Sequence, residues 1–398
     1  MVTSAEQMRQ WKGPAWLSFG FRPFFFGAGV WAALAMAVWI TALSGGPGLP
    51  TRFDPVVWHA HEMLFGYLGA VAAGFLLTAV PNWTGRLPIV GWPLGGLFAL
   101  WLLGRVAVAV SAWLPALVVA LADLAMPAVL AALIAREIVA GRNWRNLLVL
   151  AILGTLLLGN ALFHWEAARG GAAASGQGLR LGLAAAVMMI AVIGGRIVPS
   201  FTRNWLVQRG GGRLPVPPMQ RLDRVALVVL LAALVLWMIW PRALATGGAL
   251  VVAGVLHLVR LGRWAGYRTG AEPLVWVLHL GYGFVPLGAL ALGGGILLPT
   301  GHGAAAQHLW MAGAIGLMPL AVMTRATLGH TGQALSAGPG TLGLYCLLIL
   351  AVLARFGVGL WPMQAAWMQS LAGVAWILAF AGFAALYGPL LLCPRVAR

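Results

Sequence analysis

Twelve apolar stretches follow one another along the chain, each about as long as a helix needs to cross a bilayer, ~20 residues. They are read near 22–43, 56–80, 92–111, 113–135, 146–166, 178–199, 224–240, 242–261, 272–297, 303–325, 340–360 and 364–391, with clusters of Gly, Pro, Arg and Trp between them. Only 8% of the 398 residues are charged, where a soluble domain carries about 25%. The sequence therefore predicts an all-α polytopic integral membrane protein of about twelve transmembrane helices. Residues 1–398 form a single membrane domain: 22–199 hold helices one to six, 200–223 a basic cytoplasmic linker, and 224–391 helices seven to twelve. The breaks inside the third–fourth and seventh–eighth pairs rest on Ala112 and Pro241 alone.

A net charge of +17 would suggest nucleic acid in a soluble protein, but here it follows from topology. With the N-terminus inside, nineteen Lys and Arg fall on the inner face and four on the outer, while Arg105 and Arg355 lie within spans. That asymmetry places both termini in the cytoplasm. The first twenty residues lack an apolar core and a cleavage motif, so no signal peptide is expected. Cys346 and Cys393 are too few and too far apart for a thiolate metal site or covalent haem attachment. Phosphate-loop, HExxH and GxSxG motifs are absent, which argues against an ATPase or a membrane protease.

Ionisable groups within a bilayer are costly, so each histidine is a functional candidate. His59, His61 and Glu62 open the second span (VVWHAHEMLFG), His164 closes the fifth, and His308 opens the tenth, with His302 in the loop before it. These gather in the outer third of the membrane. His257, His279 and His330 gather in the inner third, with His330 just beyond the tenth span. Imidazole suits copper and haem iron. His61 and His308 each lie about 7–8 Å below a helix start, the matched depth that a haem held between two helices requires. His59 sits about 200° round the helix from His61, so the two cannot share one metal through a regular helix. Glu62 and Trp58 are candidates for orienting a ligand ring through its second nitrogen. His257 and His302 read as ordinary interfacial residues.

Arg196 and Arg325 lie near the apolar core at inner helix ends, where a guanidinium could meet an anion such as a haem carboxylate. Pro199 is expected to break the sixth helix. Asp123, midway along the fourth span, stands well apart from every histidine in sequence. It reads as a helix–helix hydrogen-bonding group or a proton relay. An internal echo with an offset of 247 residues pairs His61–Gly85 with His308–Gly332, and Arg196–Thr202 matches Arg325–Thr331. Helices two, six and ten would thus be related elements of three four-helix units.

These residues sit in long, unusual motifs. FRPFFFGAGVWA (21–32), WHAHEMLFGYLGAVAAGFLLTAVPNWTGR (58–86), GGRIVPSFTRNW (194–205), LHLGYGFVPLG (278–288) and AGAIGLMPLAVMTRATLGHTG (312–332) together resemble the NnrS family over nearly the whole chain. The resemblance implies a twelve-helix inner-membrane protein containing non-covalent b-type haem and copper. It also implies a role in nitric oxide metabolism, in denitrification or relief of nitrosative stress. His59, His61, His164, His279, His308 and His330 fall in the recurrent motifs and are the implied metal ligands. A looser likeness to the haem–copper oxidases and nitric oxide reductases implies a threefold arrangement, with His61 and His308 mirroring a bis-histidine haem. Helices six and seven lack the histidines that hold copper in those enzymes, so a copper site would need other residues, such as His59 and His164. The sequence names no catalytic residue and no electron donor. Turnover by an oxidoreductase, transport of metal, haem or a small solute, and cofactor assembly all stay open.

Overall fold

The computed structural model describes residues 11–86, 88–298 and 303–394, all of it helix and connecting turn with no strand. Among the described residues, twelve helices are long and apolar enough to cross a membrane: α1 (Phe21–Leu43), α2 (Pro55–Thr84), α3 (Trp92–Ala109), α4 (Ala116–Ala140), α5 (Trp144–Ala168), α6 (Gln177–Gln208), α7 (Arg221–Ile239), α8 (Leu244–Gly262), α9 (Pro273–Leu297), α10 (Gly303–Thr331), α11 (Pro339–Leu360) and α12 (Pro362–Leu392). The chain is a polytopic all-α membrane protein. His302 lies outside the described residues, as do Arg9, Arg395 and Arg398, three of the nineteen basic residues assigned to the inner face.

Local chemistry sets the helix ends. Asp54 caps α2 by accepting from the amides of Val56 (2.9 Å) and Val57 (3.0 Å), with Pro55 at the first helical position, where its missing N–H costs nothing. Gly85, at φ 71°, closes α2 in the left-handed region. Gln220 and Asp223 form a reciprocal capping box on α7.

Two expected boundaries move. Helix α6 runs through Pro199 to Gln208, so the linker shortens at that end; α10 runs to Thr331, which puts His330 in the helix. Composition reads a span as ending at its first arginine, but the backbone ladder continues past the apolar stretch until a glycine (Gly210, Gly332) releases it. Pro199 is accommodated because a π-helical turn, Ile190–Gly194, directly precedes its segment and relaxes the register where the proline removes a donor.

Such π segments recur in α2 (Glu62–Tyr67) and α10 (Leu309–Leu317). The second and tenth begin 247 residues apart, the offset of the sequence echo. These three spans are also among the most buried, at 72–78% of their apolar windows, against 28–44% for all others but α9.

Two compact units divide the chain. The first comprises residues 1–182, 327–333 and 380–398; the second comprises 183–326 and 334–379. In the first, α1 packs on α2, α2 on α4, α3 on α4, and α4 on α5. Arg22, buried at the start of α1, donates to the backbone oxygens of Cys393 (2.9 Å) and Leu391 (3.3 Å), carbonyls that the end of α12 leaves without helical partners. Charged-donor bonds of this kind contribute roughly 1.5–3 kcal/mol. Arg22→Gln should therefore lower the thermal midpoint in detergent, while Arg242→Gln, in a loop, should leave it unchanged.

Candidate metal centre

In the first unit, five polar side chains from four helices meet at one depth. His61 lies six residues into α2 and Asp123 seven into α4, about 9 and 10 Å from the helix starts; Arg105 lies four residues before the end of α3, with His164 and Asn160 four and eight before the end of α5. Short connections make neighbouring helices antiparallel, so starts of even-numbered helices and ends of odd-numbered ones share a level. All five are buried, as is Glu62.

Arg105 organises the acids. Its guanidinium bonds Glu62 Oε2 at 2.5 Å and, through the other terminal nitrogen, Asp123 Oδ1. Glu62 Oε2 also accepts from Trp31 Nε1 (2.7 Å). Two glycines make room: a Cβ at Gly66 would stand 2.5 Å from Arg105 Nη1, and one at Gly104 2.9 Å from Asp123 Oδ1. The π segment contributes as well, since its carbonyl at Gly66 accepts from Trp101 Nε1 (3.0 Å).

On the other side of this pair the imidazoles converge. His164 Nε2 lies 3.0 Å and His61 Nε2 3.2 Å from Asp123 Oδ2, which also accepts from Asn160 Nδ2 (2.7 Å). His61 Nε2 is 3.1 Å from Asn160 Oδ1, and its Nδ1 is 2.9 Å from Glu62 Oε1. Phe53, Phe65 and Phe163 pack around the His61 ring at centroid distances of 5.3–5.6 Å. Among the described residues, His61, Asp123 and His164 form the group whose ligand atoms lie within 4.8 Å of one another, as one metal ion would require.

Proton accounting distinguishes this cluster from an ordinary hydrogen-bond network. A neutral imidazole donates through one nitrogen and accepts through the other. If His61 Nδ1–H donates to Glu62, then Nε2 turns a lone pair toward two acceptors, Asn160 Oδ1 and Asp123 Oδ2. Turning the Asn160 amide over only moves the mismatch to Asp123. Asp123 Oδ2 itself faces three potential donors with two lone pairs. One added positive charge between the nitrogens and the carboxylate, a proton or a metal ion, resolves the conflict.

The second unit supplies the contrast. Arg260 donates to Tyr282 Oη (2.7 Å), the Tyr282 hydroxyl donates to His257 Nδ1 (2.7 Å), and His257 Nε2–H donates to Ala226 O (3.2 Å). Asp223 Oδ1 balances Arg260 at 2.7 Å. With His257 neutral, its Nδ1 faces a donor and its Nε2 an acceptor, so no cation is called for at the ring; Arg260 Nη2 is the group left without a partner in this network. His257 is hydrogen-bonded as expected, but fully buried rather than interfacial.

The remaining sequence candidates are placed as follows. The regular turns before the π segment set His59 and His61 on different faces; His59 stacks on Trp39 (4.6 Å, 20°), and His164 meets His61 rather than His59. Trp58 packs in an apolar cluster with Ala35, Val108 and Val119. His308, in the second unit, donates through Nδ1 to Ala304 O of its own helix (2.7 Å). His279 donates through Nε2 to Thr202 Oγ1 (2.7 Å), and that hydroxyl donates on to Val198 O. His330, exposed, packs on Phe19 and Phe21 of the first unit. Arg325 covers the Phe201 ring at 4.3 Å, and Arg196 is half-buried. Asp123 corrects the sequence reading: far from any histidine along the chain, it is the acid on which two of them converge. Arg105 and Asn160 were not singled out as site residues. The available signal was their common distance from one set of helix ends.

A family profile described as NnrS protein matches residues 15–395, nearly the whole chain. The chain belongs to the NnrS family. A comparison with curated proteins returns no match. In this NnrS member the segment WHAHEMLFG supplies His61 and Glu62, while Arg105, Asp123, Asn160 and His164 come from three further helices, α3, α4 and α5.

Removing Arg105 would leave two buried carboxylates without their counter-charge, a loss of about 3–5 kcal/mol. Arg105→Leu should therefore cut yield and thermal midpoint sharply. Arg105→Lys, which cannot present two parallel donors, should recover only part of the loss. Thermal unfolding followed by intrinsic fluorescence in detergent checks both.

Proposed function

We propose that this protein handles nitric oxide in a bacterial inner membrane, and that His61, His164 and Asp123 hold a copper ion that serves as its binding centre. The observation that carries the reading is the convergence of two imidazole Nε2 atoms on one carboxylate oxygen, in a buried pocket whose hydrogen bonds do not close without an added proton or metal ion. The donor set fits the group. Imidazole suits copper, and donor–donor separations of 3.0–3.2 Å agree with neighbouring ligands about 2.0–2.1 Å from a common ion. Copper bound there would supply a coordination position for nitric oxide.

The chain's own residues do the rest. Glu62 accepts from His61 Nδ1–H and so fixes the tautomer that presents Nε2. Arg105 holds Asp123 by Oδ1, leaving Oδ2 for the ion, and keeps Glu62 in place with the same guanidinium. Phe53, Phe65 and Phe163 exclude water, which suits an apolar gas that concentrates in hydrocarbon. A b-type haem enters by the family resemblance, with His308 as a candidate ligand whose ring is oriented by the bond from Nδ1 to Ala304 O. Both nitrogens of His61 face partners inside its own cluster, which supports it as a ligand with His164 and Asp123 rather than as the partner of His308. With the basic loops inside, the centre lies toward the outer face, and nitrosative-stress relief or denitrification is its setting.

The test is metal analysis with a reduced-minus-oxidised spectrum on protein purified in detergent. Wild type should carry copper stoichiometrically. His164→Ala and Asp123→Asn should lose most of it, His59→Ala and His257→Gln should keep it, and any haem bands should survive His164→Ala but weaken in His308→Ala. Equal copper in wild type and His164→Ala, or none in any, overturns the assignment.

A further inference from the structure

A cavity of about 20 Å³ adjoins the candidate centre in the first unit. Arg105, Asp123 and Asn160 form its polar end, and Phe65, Trp101 and Met126 are among the apolar residues that line the rest. Two local features open it. Gly69 contributes no side chain, and a Cβ built there would meet nothing within 4 Å. Pro127, in α4, cannot donate to the carbonyl four residues back, which is that of Asp123. Gly69, Pro127 and Leu157, from α2, α4 and α5, line the cavity yet are only half-buried, so it communicates with the lipid side.

We propose that this cavity is a holding site for one small neutral gas molecule, reached laterally from the hydrocarbon between α2, α4 and α5. Three observations exclude other occupants. Its volume just exceeds the ~10–15 Å³ needed for one water-sized molecule, so a solute or a lipid chain is too large. Water fits by size, but a buried water needs two to four polar partners. The amide of Asn160, both oxygens of Asp123 and the terminal nitrogens of Arg105 are bonded to one another or to the histidines and Glu62, which leaves Arg105 Nε as the one wall donor without a protein partner. An ion would lack a counter-charge that is not already engaged. The identity of the gas as nitric oxide rests on the function proposed above; the existence of the site does not.

Two probes test it on the full-length protein in detergent. Xenon, an apolar atom of suitable size, should bind wild type, as xenon NMR detects, and should be excluded by Gly69→Leu, which adds a bulky side chain at the cavity lining. Gly154→Leu, on α5 away from the lining, should bind xenon as wild type does. Nitric oxide, added to the copper-loaded reduced protein in a stopped-flow experiment, should associate at least tenfold more slowly with Gly69→Leu at unchanged copper content. Should Gly69→Leu fail to fold, Leu157→Trp supplies the same block from the opposite wall. Absence of xenon binding in wild type, or equal binding in wild type and both blocked variants, overturns the proposal. Xenon binding lost in Gly69→Leu from protein that carries no copper upholds the cavity and defeats the copper reading.

Discussion

One guanidinium buried among apolar helices constrains the first unit more than any other group. Arg105 bonds Glu62 and Asp123 at once, and neither acid could remain charged at that depth without it. The consequences spread outward from that grip. Gly66 and Gly104 are small so that the charged atoms can approach, and Trp31 takes the remaining valence of Glu62 Oε2. With one oxygen of each carboxylate committed to Arg105 or Trp31, the other oxygens, Glu62 Oε1 and Asp123 Oδ2, are directed at imidazoles. A membrane helix bundle gains little from mere hydrophobicity, since lipid is as apolar as leucine. Polar groups kept at this depth therefore call for a functional explanation, and a cation shared by two imidazoles and a carboxylate provides one.

The two units treat buried histidine differently. In the second, Asp223, Arg260, Tyr282 and His257 form a chain in which both nitrogens of His257 are matched, one to a donor and one to an acceptor, and Arg260 also secures Ala191 O in the π segment of α6. Arg260 Nη2 is unpartnered there, but the imidazole itself needs no added charge. Around His61 the same count leaves acceptors facing acceptors. Burial alone would rank His257 as high as His61, since both are fully enclosed; hydrogen-bond accounting separates them.

Most of the architecture was legible in the amino-acid order because lipid imposes a single rule, that each crossing be an apolar helix of about twenty residues. All twelve spans lie where the apolar stretches predicted, and Ala112 and Pro241 do fall in breaks between helices. The 247-residue echo was legible too, and it returns as π segments at matching positions in α2 and α10. Helix ends at Gln208 and Thr331 were not, because arginine and histidine stop a hydropathy reading but not a backbone ladder. The centre was half legible. Depth counting brought out His61 and His164 and set Glu62 beside them, yet it left Asp123 apart from the histidines and gave Arg105 no role. Sequence distance hides an acid from its histidines, whereas distance from the helix end, the quantity that survives folding in a bundle, does not.

The central claim is that His61, His164 and Asp123 share one cation. X-ray absorption at the copper edge of the purified protein addresses it most directly. The account predicts a first shell with two imidazole nitrogens and a carboxylate oxygen, and the loss of one imidazole contribution in His164→Ala among the copper that remains. A shell without histidine scattering, or one identical in wild type and His164→Ala, would contradict it.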